Sequence, residues 1–274
     1  MMHTRSNLHT HSRYCDGSST LPEMADAAVE AGFSSLGFSG HSWFPWGEGY
    51  TMTPDRTAQY VAEISALQTK YEGRLTIFCG LENDFARLWP TAGLDYVIGA
   101  SHCVPAGDGW REVDDTPEKL CEVADVWYGG DRMRVVRAYY ERVVQYAQQG
   151  GFDILAHFDL ITKFQQKAPL FDDASPDYRE LALSALDAVI DTGVILEVNT
   201  GAMSRGWRTE PYPAPFLLKR MRERNAPVII SADAHHRDHV AAYFDETEAL
   251  LRSVGYTEQM ELTREGFVPV SLTD

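Results

Sequence analysis

The chain has 274 residues, a formal net charge of −16 and a pI near 4.9. This acidity argues against a general nucleic-acid-binding protein, because phosphate backbones are neutralised by clustered Lys and Arg side chains. It does not exclude a small phosphate ester, whose charge can be met by bound metal ions and by one or two local cations.

No apolar run approaches the roughly 18 residues needed to span a bilayer, so we predict a soluble protein without a membrane partner. The cysteines show no Cys-x-x-Cys spacing and follow no secretory signal; they are Cys15, Cys79, Cys103 and Cys121. We therefore expect reduced thiols and a cytoplasmic location. No low-complexity linker or charge block divides the chain, which predicts a single domain over residues 1–274. The sequence does not indicate an oligomeric state.

Short β-type segments alternate with helix-like segments along the chain, which is the pattern of parallel β/α units. The predicted strands are Ser6–His11, Ser34–His41, Leu75–Glu82, Tyr96–His102, Asp153–His157, Val194–Thr200 and Val228–Asp233. Apolar residues at helical spacing predict covering helices over Leu21–Gly32, Pro54–Glu72, Arg132–Gln149, Pro176–Thr192 and Pro215–Asn225. The fold class is therefore α/β, and the length suits one parallel barrel of roughly 250 residues or two smaller domains.

Two connections are longer than the others and have an unusual composition. Trp43–Tyr50 is aromatic and rich in Gly and Pro, and Pro105–Gly130 mixes Gly, Asp and Trp with a short helical patch. Loops of this kind at the ends of barrel strands often shape a pocket. A hydrophobic plug that seals the barrel mouth is an equal alternative for any one of these aromatic side chains.

Metal-binding residue types recur at the ends of the predicted strands. His9 and His11 lie two residues apart, so a strand presents both on one face. The complete series is His9, His11, Asp16, His41, Glu82, His102, His157, Asp233 and His235, while Glu197 and Asn199 lie within the sixth strand. The carboxyl ends of parallel barrel strands meet on one face, where active sites are found. His3, His236 and His239 lie outside this pattern.

A single histidine after a strand is more often a hydrogen-bonded structural residue than a ligand, but the complete series predicts a metal site. Burying so many polar groups without a cation would be costly. Imidazole and carboxylate ligands without thiolate favour Zn, Fe or Mn. So many ligands exceed the needs of one ion, which predicts two or three divalent metals with a carboxylate such as Glu82 between them. Such ions supply hydroxide near neutral pH and neutralise phosphoryl oxygens.

A phosphate group also needs hydrogen-bond donors. Ser204 and Arg205 lie between glycines in the loop after the sixth predicted strand, and Arg205 is a candidate for a bidentate phosphate contact. Lys163, six residues after His157, is a second candidate cation. The alternative for Arg205 is a surface salt bridge, and for Lys163 a structural role of this kind is at least an equal alternative.

These motifs together resemble the PHP superfamily and, within it, the histidinol-phosphatase branch. The motifs are HTH with CDG, GFSGHS, GLEND, GASHCV, LAHFDL, LEVNTGAMSRG and SADAH, in this order over nearly the whole chain. The resemblance implies a distorted (β/α)7 TIM-like barrel with a trinuclear metal centre. It also implies one metal on His9, His11, Glu82 and Asp233, a second on Glu82, His102 and His157, and a third on Asp16, His41 and His235.

The implied reaction is hydrolysis of L-histidinol phosphate to L-histidinol and phosphate, late in histidine biosynthesis, by a metal-bound hydroxide. Arg205, with Ser204 and Lys163, would hold the phosphate, and Asp233 or His235 would help to protonate the leaving alkoxide. Trp43, Phe44 or Trp207 could stack on an imidazole. The alternatives are a PHP phosphoesterase acting on nucleotides or other small phosphate esters, and a non-catalytic PHP module of the kind associated with polymerases.

Overall fold

The computed structural model describes residues 5–44, 47, 49–84, 90 and 93–272. Its strands are β1 (Ser6–Asn7), β2 (Ser35–Phe38), β3 (Thr76–Asp84), β4 (Tyr96–Ala100), β5 (Cys103–Ala106), β6 (Gly109–Glu112), β7 (Ile154–Leu155), β8 (Ile195–Asn199), β9 (Val228–Ser231), β10 (Glu258–Thr263) and β11 (Gly266–Ser271). Its α-helices are α1 (Leu21–Glu30), α2 (Pro54–Lys70), α3 (Pro117–Trp127), α4 (Arg132–Gln149), α5 (Pro176–Ile190), α6 (Gly201–Ser204), α7 (Pro215–Glu223) and α8 (Phe244–Ser253). Short 3-10 helices cover Leu160–Thr162 and Arg237–His239.

Seven parallel strands form a barrel in the order β1-β2-β3-β4-β7-β8-β9. The seam between its first and last strands is joined beyond their regular ends, where Thr10 pairs with Ala234. There the His11 N–H donates to the Ala234 carbonyl at 2.9 Å, and the Ala234 N–H donates to the His9 carbonyl at 3.2 Å. The predicted α/β barrel of seven β/α units is therefore confirmed.

Local capping explains where the covering helices begin. The Thr20 side chain accepts from the Glu23 N–H and the Glu23 carboxylate accepts from the Thr20 N–H, a reciprocal capping box that starts α1. Thr53, Thr116 and Ser175 cap α2, α3 and α5 in front of a proline in the first turn. The five predicted helices are all present, and four of them end two residues earlier than predicted.

The amino-terminal half of the barrel interior is apolar. Its buried cluster contains residues within or directly after the barrel strands other than β2, together with one residue of β10, namely Leu8, Phe78, Tyr96, Ile98, Ala100, Ile154, Ala156, Ile195, Ile229 and Leu262. Met260 and Phe267 of the β10–β11 hairpin pack against this cluster, so the hairpin closes the barrel floor. Gly80 makes room for Tyr96, because a Cβ at position 80 would lie 2.5 Å from the Tyr96 ring. The Tyr96 hydroxyl donates to the Leu8 carbonyl.

Several elements lie outside the predicted set. The connection predicted over Pro105–Gly130 contains α3 and part of the antiparallel β5–β6 hairpin, while α8 and the β10–β11 hairpin follow the last predicted strand. The Trp43–Tyr50 connection is only partly within the described residues. Cys15, Cys79, Cys103 and Cys121 are free thiols. Among the described helices, none combines the length and apolar character needed to cross a bilayer.

Candidate metal centre

The predicted ligands meet at the carboxyl end of the barrel. Side-chain alternation explains this, because β3 places Phe78 and Glu82 on the same inner face, and β8 does the same with Ile195 and Glu197. Each strand therefore changes from an apolar floor to a polar upper layer. The residues that the structure brings together are His9, His11, Asp16, His41, Glu82, His102, His157, Asp233 and His235.

Glu82 lies at the centre of the group and its side chain is 1% exposed. Its Oε2 atom faces three imidazole nitrogens, His9 Nε2 at 3.2 Å, His11 Nε2 at 3.4 Å and His41 Nδ1 at 3.0 Å. Its Oε1 atom faces His157 Nε2 at 3.0 Å and His102 Nε2 at 3.4 Å. One carboxylate thus faces five imidazoles from the ends of four strands, β1, β2, β4 and β7, as expected for the carboxylate predicted to lie between metals.

Two further groups flank Glu82. Asp233 Oδ1 lies 3.3 Å from His11 Nε2 and 3.6 Å from His9 Nε2. Asp16 Oδ2 lies 3.0 Å from His235 Nε2, and Asp16 Oδ1 lies 3.4 Å from His11 Nδ1. The ligand atoms of His11, Asp16, His41 and His235 lie within 4.8 Å of one another, as do those of His41, Glu82 and His102. His11 and His41 therefore each contribute to two adjoining groups.

The donor set fits divalent transition metals. His9 Nε2, His11 Nε2 and Glu82 Oε2 are buried and make no hydrogen bond of suitable geometry with described residues, although they face one another. Leaving such atoms unpaired costs roughly 1–3 kcal/mol each. Nitrogen and carboxylate oxygen atoms converging on one point are the ligands that Zn, Fe and Mn accept. A metal ion would satisfy all three atoms at once.

The electrostatics of the group favour ionised carboxylates. Burial on its own would raise the pKa of Glu82, but His41, His9 and His102 outweigh it and hold that pKa well below its usual range. Asp233 behaves in the same way, since Arg205 and His9 outweigh the effect of burial on its pKa. Both groups therefore carry at neutral pH the charge that a metal ligand needs.

A cavity of about 620 Å³ opens onto these ligands. Its lining includes Arg205 and Lys163, the two predicted phosphate-binding cations. Arg205 Nη1 donates to the Asp233 carbonyl and Nη2 to Asp233 Oδ2, both at 2.9 Å. The ion pair of Arg205 therefore lies in the cavity wall, next to the ligands. Lys163 Nζ donates to the Asp114 carbonyl at 2.6 Å and lies 3.2 Å from Asp114 Oδ2.

Four residues predicted to contact the substrate are not among those that line this cavity, and their contact stays a prediction. The Ser204 hydroxyl donates to the Gly201 carbonyl within α6 at 2.9 Å. Phe44 is 2% exposed, and the Trp207 ring packs edge-on against Phe164 with centroids 5.0 Å apart. Trp43 is partly buried. Tyr50 is the aromatic residue that does line the cavity, with its ring 5.2 Å from that of His41.

Two histidines outside the ligand series, His236 and His239, are not among the residues that line the cavity. The rings of His236 and His239 face each other at 6.0 Å near the second 3-10 helix. His3 lies outside the described residues.

The sequence reasoning assigned no role to two carboxylates that hold the imidazoles. Asp84 Oδ2 lies 3.0 Å from His102 Nδ1 and accepts from the His102 N–H at 3.1 Å. Glu197 Oε1 lies 2.6 Å from His9 Nδ1. Asp84 could have been found from strand alternation, because it follows Glu82 by two residues, whereas Glu197 was recognised in the sixth strand but given no partner.

Comparison with known proteins agrees with the fold and identifies the family. Residues 7–201 match the model of the PHP domain family, so the chain belongs to this family. The chain is 35% identical over 261 residues to a Deinococcus radiodurans protein named "Probable histidinol-phosphatase", with 90% of this chain and 92% of that protein covered. The predicted resemblance to the histidinol-phosphatase branch of the PHP superfamily is confirmed.

Two solved structures share the fold. HisK of Listeria monocytogenes has a TM-score of 0.77 and 21% identity, covering 88% of this chain and 99% of that chain. The histidinol phosphate phosphatase of Lactococcus lactis, solved with zinc, L-histidinol and phosphate, has a TM-score of 0.71 and 17% identity, covering 97% and 99%.

Proposed function

We propose that the protein is a metal-dependent phosphomonoesterase that hydrolyses L-histidinol phosphate to L-histidinol and phosphate in histidine biosynthesis. The observation that carries this proposal is the convergence of unpaired His9 and His11 nitrogens on Glu82, beside a cavity that also presents Arg205. The relatives named histidinol-phosphatase, and the Lactococcus lactis structure with zinc, histidinol and phosphate, support the choice of substrate.

We assign the predicted ligand set to two or three divalent ions, with a trinuclear centre as the full complement. His9, His11, Glu82 and Asp233 would hold one ion. Glu82 would also reach a second ion with His102 and His157, and Asp16 and His235 would contribute to a third. The position of His41, between Glu82 and Asp16, makes it a candidate ligand of either the second or the third ion. Zn, Fe and Mn all suit these ligands.

When bound, such ions lower the pKa of a coordinated water and neutralise the oxygens of a phosphoryl group. The residues of the chain supply the remaining tasks. Arg205 lies in the wall beside Asp233, where its guanidinium can donate to outer phosphate oxygens while Asp233 fixes its orientation. Lys163, held by Asp114, adds a second positive charge to the lining. Asp233 and His235, the two candidates predicted to help protonate the leaving alkoxide, also line the cavity; because Asp233 is ionised at neutral pH, we assign the proton donation to His235.

One assay tests the proposal. The purified, metal-loaded protein is given histidinol phosphate, nucleoside bisphosphates and other small phosphate esters, and phosphate release is measured while metals are quantified on the same sample. We expect the fastest release from histidinol phosphate. Release from nucleotides but not from histidinol phosphate would replace the proposed substrate, and no release from any ester would favour a non-catalytic PHP module.

A further inference from the structure

Glu197 is a buried carboxylate behind the ligands that contacts several polar groups at once. It lies in β8 with a side chain that is 0% exposed, and it does not line the cavity. Its two oxygens meet four groups, His9 Nδ1 at 2.6 Å, Ser231 Oγ at 2.7 Å, Asn199 Nδ2 at 2.8 Å and the His157 N–H at 2.9 Å. These groups come from the regions of β1, β9, β8 and β7, so one carboxylate connects four parts of the barrel.

The contact with His9 decides which of its nitrogens is available. Glu197 has no proton to donate when ionised, so His9 Nδ1 must carry the hydrogen of this bond. A ligating imidazole must be neutral, and the one proton of that ring is then on Nδ1, which leaves a lone pair on His9 Nε2, 3.2 Å from Glu82 Oε2. Carboxylates that accept from a ligating histidine in this way fix its tautomer and its ring orientation.

The second contact acts on the backbone of His157. This residue has a φ of +23°, in the left-handed region that non-glycine residues seldom occupy. Such a conformation persists when surrounding contacts hold it. Glu197 Oε2 accepts from the His157 N–H. The ring of His157 in turn has its Nε2 atom 3.0 Å from Glu82 Oε1. The contact therefore helps to aim a second imidazole at the opposite oxygen of Glu82.

We propose that Glu197 is a positioning residue for the metal centre, which sets the tautomer of His9 and the backbone of His157 without binding metal or substrate itself. The inference rests on the proposed metal binding, but it does not depend on the identity of the phosphate ester. It assigns one buried carboxylate to ligands of two different ions. Loss of that carboxylate should therefore weaken the centre without removing a ligand.

The test uses Glu197→Gln in the full chain. The amide keeps the size of the side chain but offers one acceptor oxygen to four groups, and its NH2 group must face one of the two original pairs of donors. If it faces His9, the ring must shift its proton to Nε2 and lose the ligating lone pair. If it faces the His157 N–H, the backbone loses its acceptor. Each orientation damages one ligand.

Metal affinity is the first readout. Stripped protein is titrated with zinc against a chromogenic chelator, and bound zinc is counted by elemental analysis. We expect at least one site to weaken by about 10–100-fold, the usual effect of removing such a partner. Glu248→Gln is the matched control, because Glu248 of α8 is also buried but pairs with Arg5, before β1, and with Arg252 in its own helix. It should change thermal stability while zinc affinity stays unchanged. Equal zinc affinity in Glu197→Gln and wild type would overturn the proposal.

The second readout is made on the wild-type protein and does not require Glu197→Gln to fold. In zinc-loaded wild-type protein with 15N-labelled histidine, NMR should show a slowly exchanging proton on Nδ1 of His9, identified by its loss in His9→Gln. A His9 ring with its proton on Nε2 would overturn the proposal even if Glu197→Gln failed to fold. If zinc binding depends on Glu197 but histidinol phosphate is not hydrolysed, the proposed function fails while this inference stands.

Discussion

Replacing Arg205 by alanine tests the proposed phosphate contact, and the structure sets the size of the effect. Its guanidinium has five N–H groups; two are used on Asp233, and a third approaches His235 Nδ1 at 3.1 Å. Two donors remain for a phosphate, and hydrogen bonds to charged groups contribute about 1.5–3 kcal/mol each. Because the side chain is 26% exposed, solvent screening favours the lower end, about 3 kcal/mol in total. That is roughly a 100-fold loss in kcat/KM.

The assay is steady-state phosphate release from histidinol phosphate by metal-loaded wild type, Arg205→Ala and Arg205→Lys. Lysine keeps the charge but lacks the planar fork, so its kcat/KM should fall between the other two. Metal content should remain that of wild type, because Arg205 contacts Asp233 Oδ2 while the imidazoles face Oδ1. An unchanged kcat/KM in Arg205→Ala would refute the phosphate contact, and a loss of metal in parallel with activity would show that Arg205 acts through Asp233.

Three further predictions concern the metals and the barrel. Prolonged chelation should abolish activity and His9→Ala should lower the metal content, as measured by elemental analysis; a fully active enzyme with fewer than two ions per chain would contradict a cluster. Zinc binding should release protons and strengthen as pH rises. Burial lowers the pKa of His9 and of His102, but carboxylates outweigh it and raise the first well above its usual value and the second to about 10. Calorimetry in buffers of different ionisation enthalpy would reveal this release, and a buffer-independent heat would argue against it. Gly80→Ala should destabilise the metal-free protein by about 1–3 kcal/mol in urea unfolding, because the new Cβ collides with Tyr96; an unchanged midpoint would mean that the barrel interior adapts.

The barrel was predictable because its signals are local. Each predicted strand is present, and α4 has the predicted bounds, Arg132–Gln149. Strand ends were less predictable, since Ser6–Asn7 is the only regular part of the strand predicted over Ser6–His11. The next residues turn toward β9, where pairing of Thr10 with Ala234 depends on a strand more than 200 residues away. The residues around Thr10 do not indicate with which distant strand they pair.

The ligand residues were easier to predict from sequence than the groups that surround them. Histidine and carboxylate residues at strand ends stand out in sequence, and the structure brings them together. Which atoms share an ion depends on ring orientation, and the placement of His41 beside both Glu82 and Asp16 was not visible from spacing. The aromatic side chains predicted to contact the substrate do not line the described cavity, and Trp207, for example, packs against Phe164; their contact with the substrate stays a prediction. Aromatic composition alone cannot distinguish packing from exposure in a pocket.

The barrel seam carries a consequence for the metal-free protein. The Thr10–Ala234 bridge and its two backbone hydrogen bonds join this seam, and the Asn7 side chain and Ser18 add further hydrogen bonds beside it. The ligands His9, His11, Asp233 and His235 flank that bridge on both sides. Ions bound there would cross-link the first and last strands, so their binding free energy would add to the stability of barrel closure. The amides of His11 and Ala234 should therefore exchange with solvent much faster once metals are removed, while those of β3 and β4 change little.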